Sequence, residues 1–176
     1  MKFTACVVTV SDRSYEGKRA DLSGPAVSRR LAEAGFEVKC AAIVPDERGA
    51  IRKILRELSK KADLVVTTGG TGITARDVTP EATRDVIEKE LYGFGEAMRA
   101  YSLQITPNAV VSRATAGTAG SAIVLNLPGS PKGALENLEA VIGAIPHSIE
   151  MLQGRSRDCA AADAVKKHCG KRKKTK

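Results

Sequence analysis

The chain alternates between short β-branched runs and longer stretches whose apolar residues return every third or fourth position. TACVVTV (4–10) predicts a strand that ends at Ser11-Asp12, with the polar loop SDRSYEGKRAD after it. Ser23-Gly24-Pro25 predicts a helix start, with Ser23 as N-cap and the proline in the first turn, and Gly35 predicts its end. FEVKCAAIV is a second strand, closed by Pro45. Ile51, Ile54, Leu55 and Leu58 then mark the apolar face of a helix that follows Asp46. ADLVVTT is the third strand and the one best suited to a central, buried position. Thr79-Pro80 opens a helix through about Glu90, FGEAMRAYSLQ forms another, and SAIVLNL (121–127) is the last clear strand. Ser130-Pro131 caps a terminal helix, which Leu135, Leu138, Ile142 and Ile145 carry toward a kink near Pro146.

Strands alternating with helices imply an α/β fold with a largely parallel sheet covered on both faces. Ligands in such sheets bind beyond the C-terminal strand ends. SDRSYEG, PDER, TGGTGITARD and LPGSPK each follow a strand directly, so all four are expected along one edge. Of these, the third is the most unusual. Three glycines and four threonines fall within residues 67–74, far more backbone freedom than a turn requires.

Charge changes this picture less than its total suggests. The net charge is +8, but residues 154–176 hold nine Lys/Arg against two Asp, leaving only +1 for the first 153 residues. Basicity therefore belongs to the tail, and such runs are commonly solvated ends. Aromatics make up 3% of the chain and Trp is absent, which argues against a nucleic-acid module built on stacked bases. None of the four cysteines (Cys6, Cys40, Cys159, Cys169) forms a CxxC pair, so a reducing cytoplasm fits better than a disulfide framework. Cys159, His168 and Cys169 match no zinc spacing. No run is long enough to cross a bilayer, and the N-terminus alternates like a strand rather than a signal segment.

Glycine-rich backbone after a strand presents several N–H groups to one point, a geometry suited to phosphate. The P-loop pattern fails because no lysine lies between Gly69 and Thr83. Gly70-x-Gly72-x-x-Ala75 satisfies a loose dinucleotide fingerprint, but without the acidic residue that should close the next strand. Asp46 and Asp77 fit better as partners of the loop. Each follows a strand or its loop, where a carboxylate can hold Mg²⁺ while water and substrate phosphates complete the shell. Taken singly, Asp46 could be a helix N-cap and Asp77 a turn former.

TTGGTGITARDVTPEAT, with VSDRSYEGKRADLSG upstream and LNLPGSPK downstream, resembles the molybdopterin adenylyltransferases, which include bacterial MogA and the gephyrin G domain. The similarity runs over about residues 3–153, so 1–153 is expected to form a MogA/MoaB-like domain, with 154–176 as a basic tail outside it. The resemblance implies a three-layer α/β/α fold, a homotrimer and a cytoplasmic reaction of ATP with molybdopterin, assisted by Mg²⁺, that gives adenylyl-molybdopterin and pyrophosphate. Asp46 and Asp77 match the family's catalytic and magnesium-handling aspartates. Gly69, Gly70, Thr71 and Gly72, with Ser102 and Ser112, match its molybdopterin site. Ser11, Asp12, Ser23 and Gly24, with Pro128, Gly129 and Pro131, match loops bounding its nucleotide site. Arg76 and Lys132 are candidates for neutralising phosphate, from position and sign alone. The alternative is a non-catalytic MoaB-like carrier of molybdopterin, but RDVTP and LPGSPK are intact here, which favours the active branch. Molybdate insertion would fall to a separate protein.

Overall fold

A computed structural model describes residues 2–155. The tail beyond Arg155, with Cys159, His168 and Cys169, lies outside the described residues. Six strands form one sheet in the order β2-β1-β3-β6-β5-β4. They are β1 (Thr4–Val10), β2 (Glu37–Val44), β3 (Leu64–Thr68), β4 (Lys89–Glu90), β5 (Ala116–Ala119) and β6 (Ala122–Leu127). β2, β1, β3 and β6 run parallel; β5 turns back against β6, and the short edge strand β4 pairs antiparallel with β5.

The helices are α1 (Asp12–Tyr15), α2 (Ser23–Glu33), α3 (Arg48–Leu58), α4 (Thr79–Arg84), α5 (Tyr92–Leu103), α6 (Pro131–Val141) and α7 (Ile145–Leu152). Alternation along the central strands decides which helix covers which face. Ala5, Val7, Leu64, Val66, Ile123 and Leu125 point to one side, packing with Val27 and Leu31 of α2, Met98 of α5, Leu138 of α6 and Ile149 of α7. Cys6, Val8, Val65 and Val124 point to the other, against Ile51 and Leu55 of α3 and Ala82 of α4. The result is the expected three-layer α/β/α arrangement. β3 is buried at all five positions.

Local details differ from the sequence pattern in five places. Ser23 does not cap α2; its hydroxyl donates to the Gly129 carbonyl at 3.1 Å. Asp21 takes the capping role instead, its Oδ1 accepting from the Gly24 N–H at 3.0 Å and its Oδ2 from the Thr9 hydroxyl at 2.6 Å. Asp21→Ala should therefore destabilise the fold by about 1–2 kcal/mol in urea unfolding, a typical loss for an N-cap. α4 stops at Arg84 rather than Glu90, because Lys89 and Glu90 pair with Thr118 and Gly117. β5 escapes the pattern because AGTA is short and lacks large apolar side chains. The break near Pro146 separates two helices instead of bending one, with the proline in the first turn of α7. Finally, Cys6 and Cys40 are joined by a disulfide, against the expectation of free thiols. They face each other in register on β1 and β2 with Cα atoms 4.8 Å apart, a proximity that a sequence separation of 34 conceals. Among the described residues, no helix is long and apolar enough to cross a membrane.

Candidate active site

The strand order dictates where the four polar loops meet. β3 lies between β1 and β6, so the loops after β1, β3 and β6 emerge side by side, and β2 adds the fourth. Backbone bonds join them at the sheet edge. Ser11 donates to the Val44 carbonyl at 3.0 Å, and Gly69 donates to the Leu127 carbonyl at 3.0 Å. The Thr68 hydroxyl donates to the Pro128 carbonyl at 2.7 Å.

Gly69 and Gly70 form the turn at the centre, with φ of 105° and 64°. Only glycine adopts these values without strain. A Cβ on Gly69 would also collide with the Val10 carbonyl oxygen, and one on Gly70 with the Thr79 hydroxyl. Thr79 braces the same turn, its N–H donating to the Gly70 carbonyl at 3.0 Å and its hydroxyl to the Gly69 carbonyl at 2.9 Å.

A cavity opens on each side of this backbone wall. The first, about 330 Å³, is lined by Ser11, Arg19, Asp21, Ser23, Asp46, Gly69, Gly70 and Gly129. The second, about 260 Å³, is lined by Thr71, Gly72, Arg99, Ser102, Ser112, Pro128 and Asn137. Ser130, the side-chain cap of α6, touches both. The candidate residues thus divide. Gly69 and Gly70 face the first cavity, while Thr71 and Gly72 face the second. Asp12, Gly24, Asp77 and Pro131 line neither. Asp12 stands behind Asp46, Gly24 sits under Thr9 and Asp21, and Pro131 begins α6.

Asp46 is not a helix cap. Its Oδ2 accepts from the Asp12 N–H at 2.8 Å, and its own N–H donates to Asp12 Oδ1 at 2.9 Å. Burial pushes the Asp46 carboxyl above the usual range; repulsion from Asp12 and Asp77 adds to this, and the Asp12 N–H and the Arg76 charge oppose it. Asp77 behaves oppositely. Burial raises it, but the Thr74 hydroxyl and N–H, the Gly72 N–H and the Arg113 charge outweigh burial and hold it below the ordinary range. Both Thr74 contacts reach the same oxygen, Oδ2, at 2.6 Å from the hydroxyl and 2.8 Å from the N–H.

The two aspartates are thus near enough to repel, and no ion pair to either is found among the described residues. Among those residues no three acidic, His or Cys side chains converge into a metal cage. A half-buried carboxylate with no direct ion pair, beside a second one, suits a hard cation that takes few protein ligands and fills its shell with phosphate and water oxygens.

The two cations that the sequence offers for phosphate are already engaged. Arg76 is bidentate on Asp12, with its closest contact at 2.7 Å; the backbone N–H of Asp46, and after it Arg76, hold that carboxyl low. Lys132 pairs with Glu136 at 3.8 Å.

Arg113 stands outside the set expected from sequence, and it organises the glycine loop. Its Nε donates to the Gly72 carbonyl at 2.7 Å, its Nη2 to the Asp77 carbonyl at 2.5 Å, and its Nη1 pairs with Glu81. Its backbone N–H donates to the Thr71 carbonyl at 3.0 Å. In the second cavity, Asn137 donates from Nδ2 to the Ser102 hydroxyl at 2.8 Å, and Arg99 is anchored on the Ala114 carbonyl at 3.0 Å. Nothing local in VVSRAT or LENLEA signals the roles of Arg113 and Asn137; they arise from partners 41 and 35 positions away.

Residues 6–147 match the family described as "Probable molybdopterin binding domain". The chain belongs to that family. A molybdopterin adenylyltransferase of Helicobacter pylori is 45% identical over 155 residues, covering 84% of this chain and 86% of the relative. That of Escherichia coli K12 is 39% identical over 165 residues, covering 84% of each. Among solved structures, the molybdopterin biosynthesis enzyme MoaB of Thermus thermophilus superposes with a TM-score of 0.81 at 45% identity, covering 86% of this chain and 97% of that one. The relatives carry the same α/β framework, so the family's fold and the arrangement above coincide.

Proposed function

We propose that the chain is a molybdopterin adenylyltransferase, transferring AMP from ATP to molybdopterin and releasing pyrophosphate. The observation that carries this reading is the pair of cavities divided by one glycine wall, with Asp46 lining the first and Asp77 close against Gly72 of the wall. Two phosphorylated substrates held on either side of such a wall can meet at its rim. An oxygen of the molybdopterin phosphate forms a bond to the α-phosphorus of ATP, and the bond to the β-phosphate breaks with its electron pair on pyrophosphate. The protein's part is orientation and charge.

The first cavity takes the nucleotide and the second the pterin, where Asn137 fixes the Ser102 hydroxyl and Arg99 supplies guanidinium donors. Asp46 and Asp77 are the residues that would hold Mg²⁺, which supplies charge neutralisation to the phosphates. Gly69 and Gly70 let the chain come close to phosphate without a side chain intervening.

The test is incubation with molybdopterin, Mg²⁺ and ATP. Pyrophosphate and adenylylated pterin are expected in equal amounts. Pterin binding with no pyrophosphate release would make the protein a carrier and overturn the reading.

A homotrimer, a cytoplasmic setting and a separate protein for molybdate insertion belong to the same proposal. Tyr92, Tyr101, Leu103, Ile105, Val110 and Val111 expose apolar surface along α5 and the turn after it, a face suited to subunit contact. Light scattering would read the mass of three chains.

A further inference from the structure

ATP brings its charge to the first cavity as a triphosphate, and the cavity wall must answer it. Arg76 and Lys132 are committed to Asp12 and Glu136. The wall nevertheless carries one cation among its described residues, Arg19, in the loop between α1 and α2. Its backbone N–H donates to the Arg13 carbonyl at 3.1 Å, in a turn that also holds the Lys18 N–H on Arg13 at 2.8 Å. Its guanidinium makes no hydrogen bond or ion pair among the described residues. The carboxylate nearest to it in sequence, Asp21, is occupied by the Thr9 hydroxyl and the Gly24 N–H. An unpaired guanidinium therefore belongs to a residue of the wall of a polar cavity whose other charged residues, Asp21 and Asp46, are acidic.

We propose that Arg19 binds the β,γ-phosphates of ATP and stabilises pyrophosphate as it leaves. This rests on the adenylyltransferase reading. Adenosine is neutral and offers a guanidinium no charge to pair with, whereas pyrophosphate matches its planar fork. When the bond between the α-phosphorus and its bridging oxygen breaks, the electron pair passes to that oxygen, which thereby gains one negative charge. No proton needs to move; Arg19 acts as a fixed counter-charge. Its exposure limits the effect, because water and salt screen it.

The experiment is calorimetric titration of the full chain and of Arg19→Ala with Mg–pyrophosphate and, separately, with AMP. Pyrophosphate affinity is expected to fall about tenfold in the variant, while AMP affinity stays within about twofold. Arg19→Lys, which keeps the charge but not the fork, should recover part of the loss. kcat/KM for ATP should fall in parallel with pyrophosphate affinity. Equal weakening of both ligands, or of neither, overturns the proposal. These titrations need no turnover, so they remain decisive for Arg19 even if the unaltered chain releases no pyrophosphate, the result that would instead defeat the adenylyltransferase reading.

Discussion

Asp46→Asn is expected to melt higher than the unaltered chain at neutral pH while losing adenylyl transfer by about 100-fold or more. The two effects share one cause. Burial and the nearby charges of Asp12 and Asp77 make the ionised Asp46 unfavourable in the fold, so its carboxyl holds its proton to higher pH than the unfolded value of 3.8. Between those two values the native chain binds more protons than the unfolded one, and stability falls as pH rises. Above the raised value the cost is complete; below the unfolded value it has vanished.

Asparagine keeps the oxygen that accepts from the Asp12 N–H but carries no charge. Its advantage should therefore be full at neutral pH and shrink to nothing as acid is added down to the unfolded value. Because the group is only partly buried, the gain is modest, roughly 1–3 °C. Mg²⁺ should raise the melting temperature of the unaltered chain and leave the variant unmoved. Asp77 provides the contrast, since its depressed carboxyl adds stability that is present above 3.8 and disappears as pH falls through its folded value. A variant at Asp46 that melts lower at neutral pH, or turns over normally, would remove Asp46 from the proposed cation site.

Arg113→Ala should weaken adenylyl transfer about 100-fold and cost about 2–4 kcal/mol of stability. The guanidinium bridges the Gly72 carbonyl, the Asp77 carbonyl and Glu81, three points along a turn-rich stretch of chain. Without it, Glu81 loses its ion pair while its Oε2 already lacks a hydrogen-bond partner in the interior. The loop would then relax, and Asp77 would lose both its placement and the nearby positive charge. Lysine cannot reproduce three diverging contacts, so Arg113→Lys should recover stability better than turnover. The measurement is paired urea unfolding and steady-state kinetics. Unchanged kcat in an alanine variant that still folds would limit Arg113 to a structural brace.

The contrast between Asp46 and Arg113 explains what was legible beforehand. The core strands announced themselves because TACVVTV and ADLVVTT are dense in β-branched residues, and the parallel sheet follows from their alternation with helices. Glycine clustering after β3 marked the site because few other sequences need so much backbone freedom there. β4 and β5 were hidden for the opposite reason: two and four residues of mostly small or charged type give no period to detect. Asp21 is within reach of sequence reading, since an aspartate three positions before the N–H it accepts from is an N-cap pattern, but Ser23 two residues on carries the same signal. Arg113 and Asn137 were out of reach. Each acts on partners brought near only by the fold, and a lone arginine or asparagine in an ordinary helix or loop says nothing of where its donors will land.

The pairing of β3 with β6 has a last implication. Five matched positions, Leu64 with Ile123 through Thr68 with Leu127, tie the roots of the two loops that divide the cavities. A buried bracket of Asn126, donating to Thr67 at 3.0 Å and to Thr83 at 2.8 Å, locks the last turn of α4 to the same pair. Hinged enzymes bring reactants together by swinging one lobe onto another; here the spacing between the two seats is set when the chain folds. If the two cavities seat the two substrates as proposed, the machine is closer to a drilling jig than to a clamp.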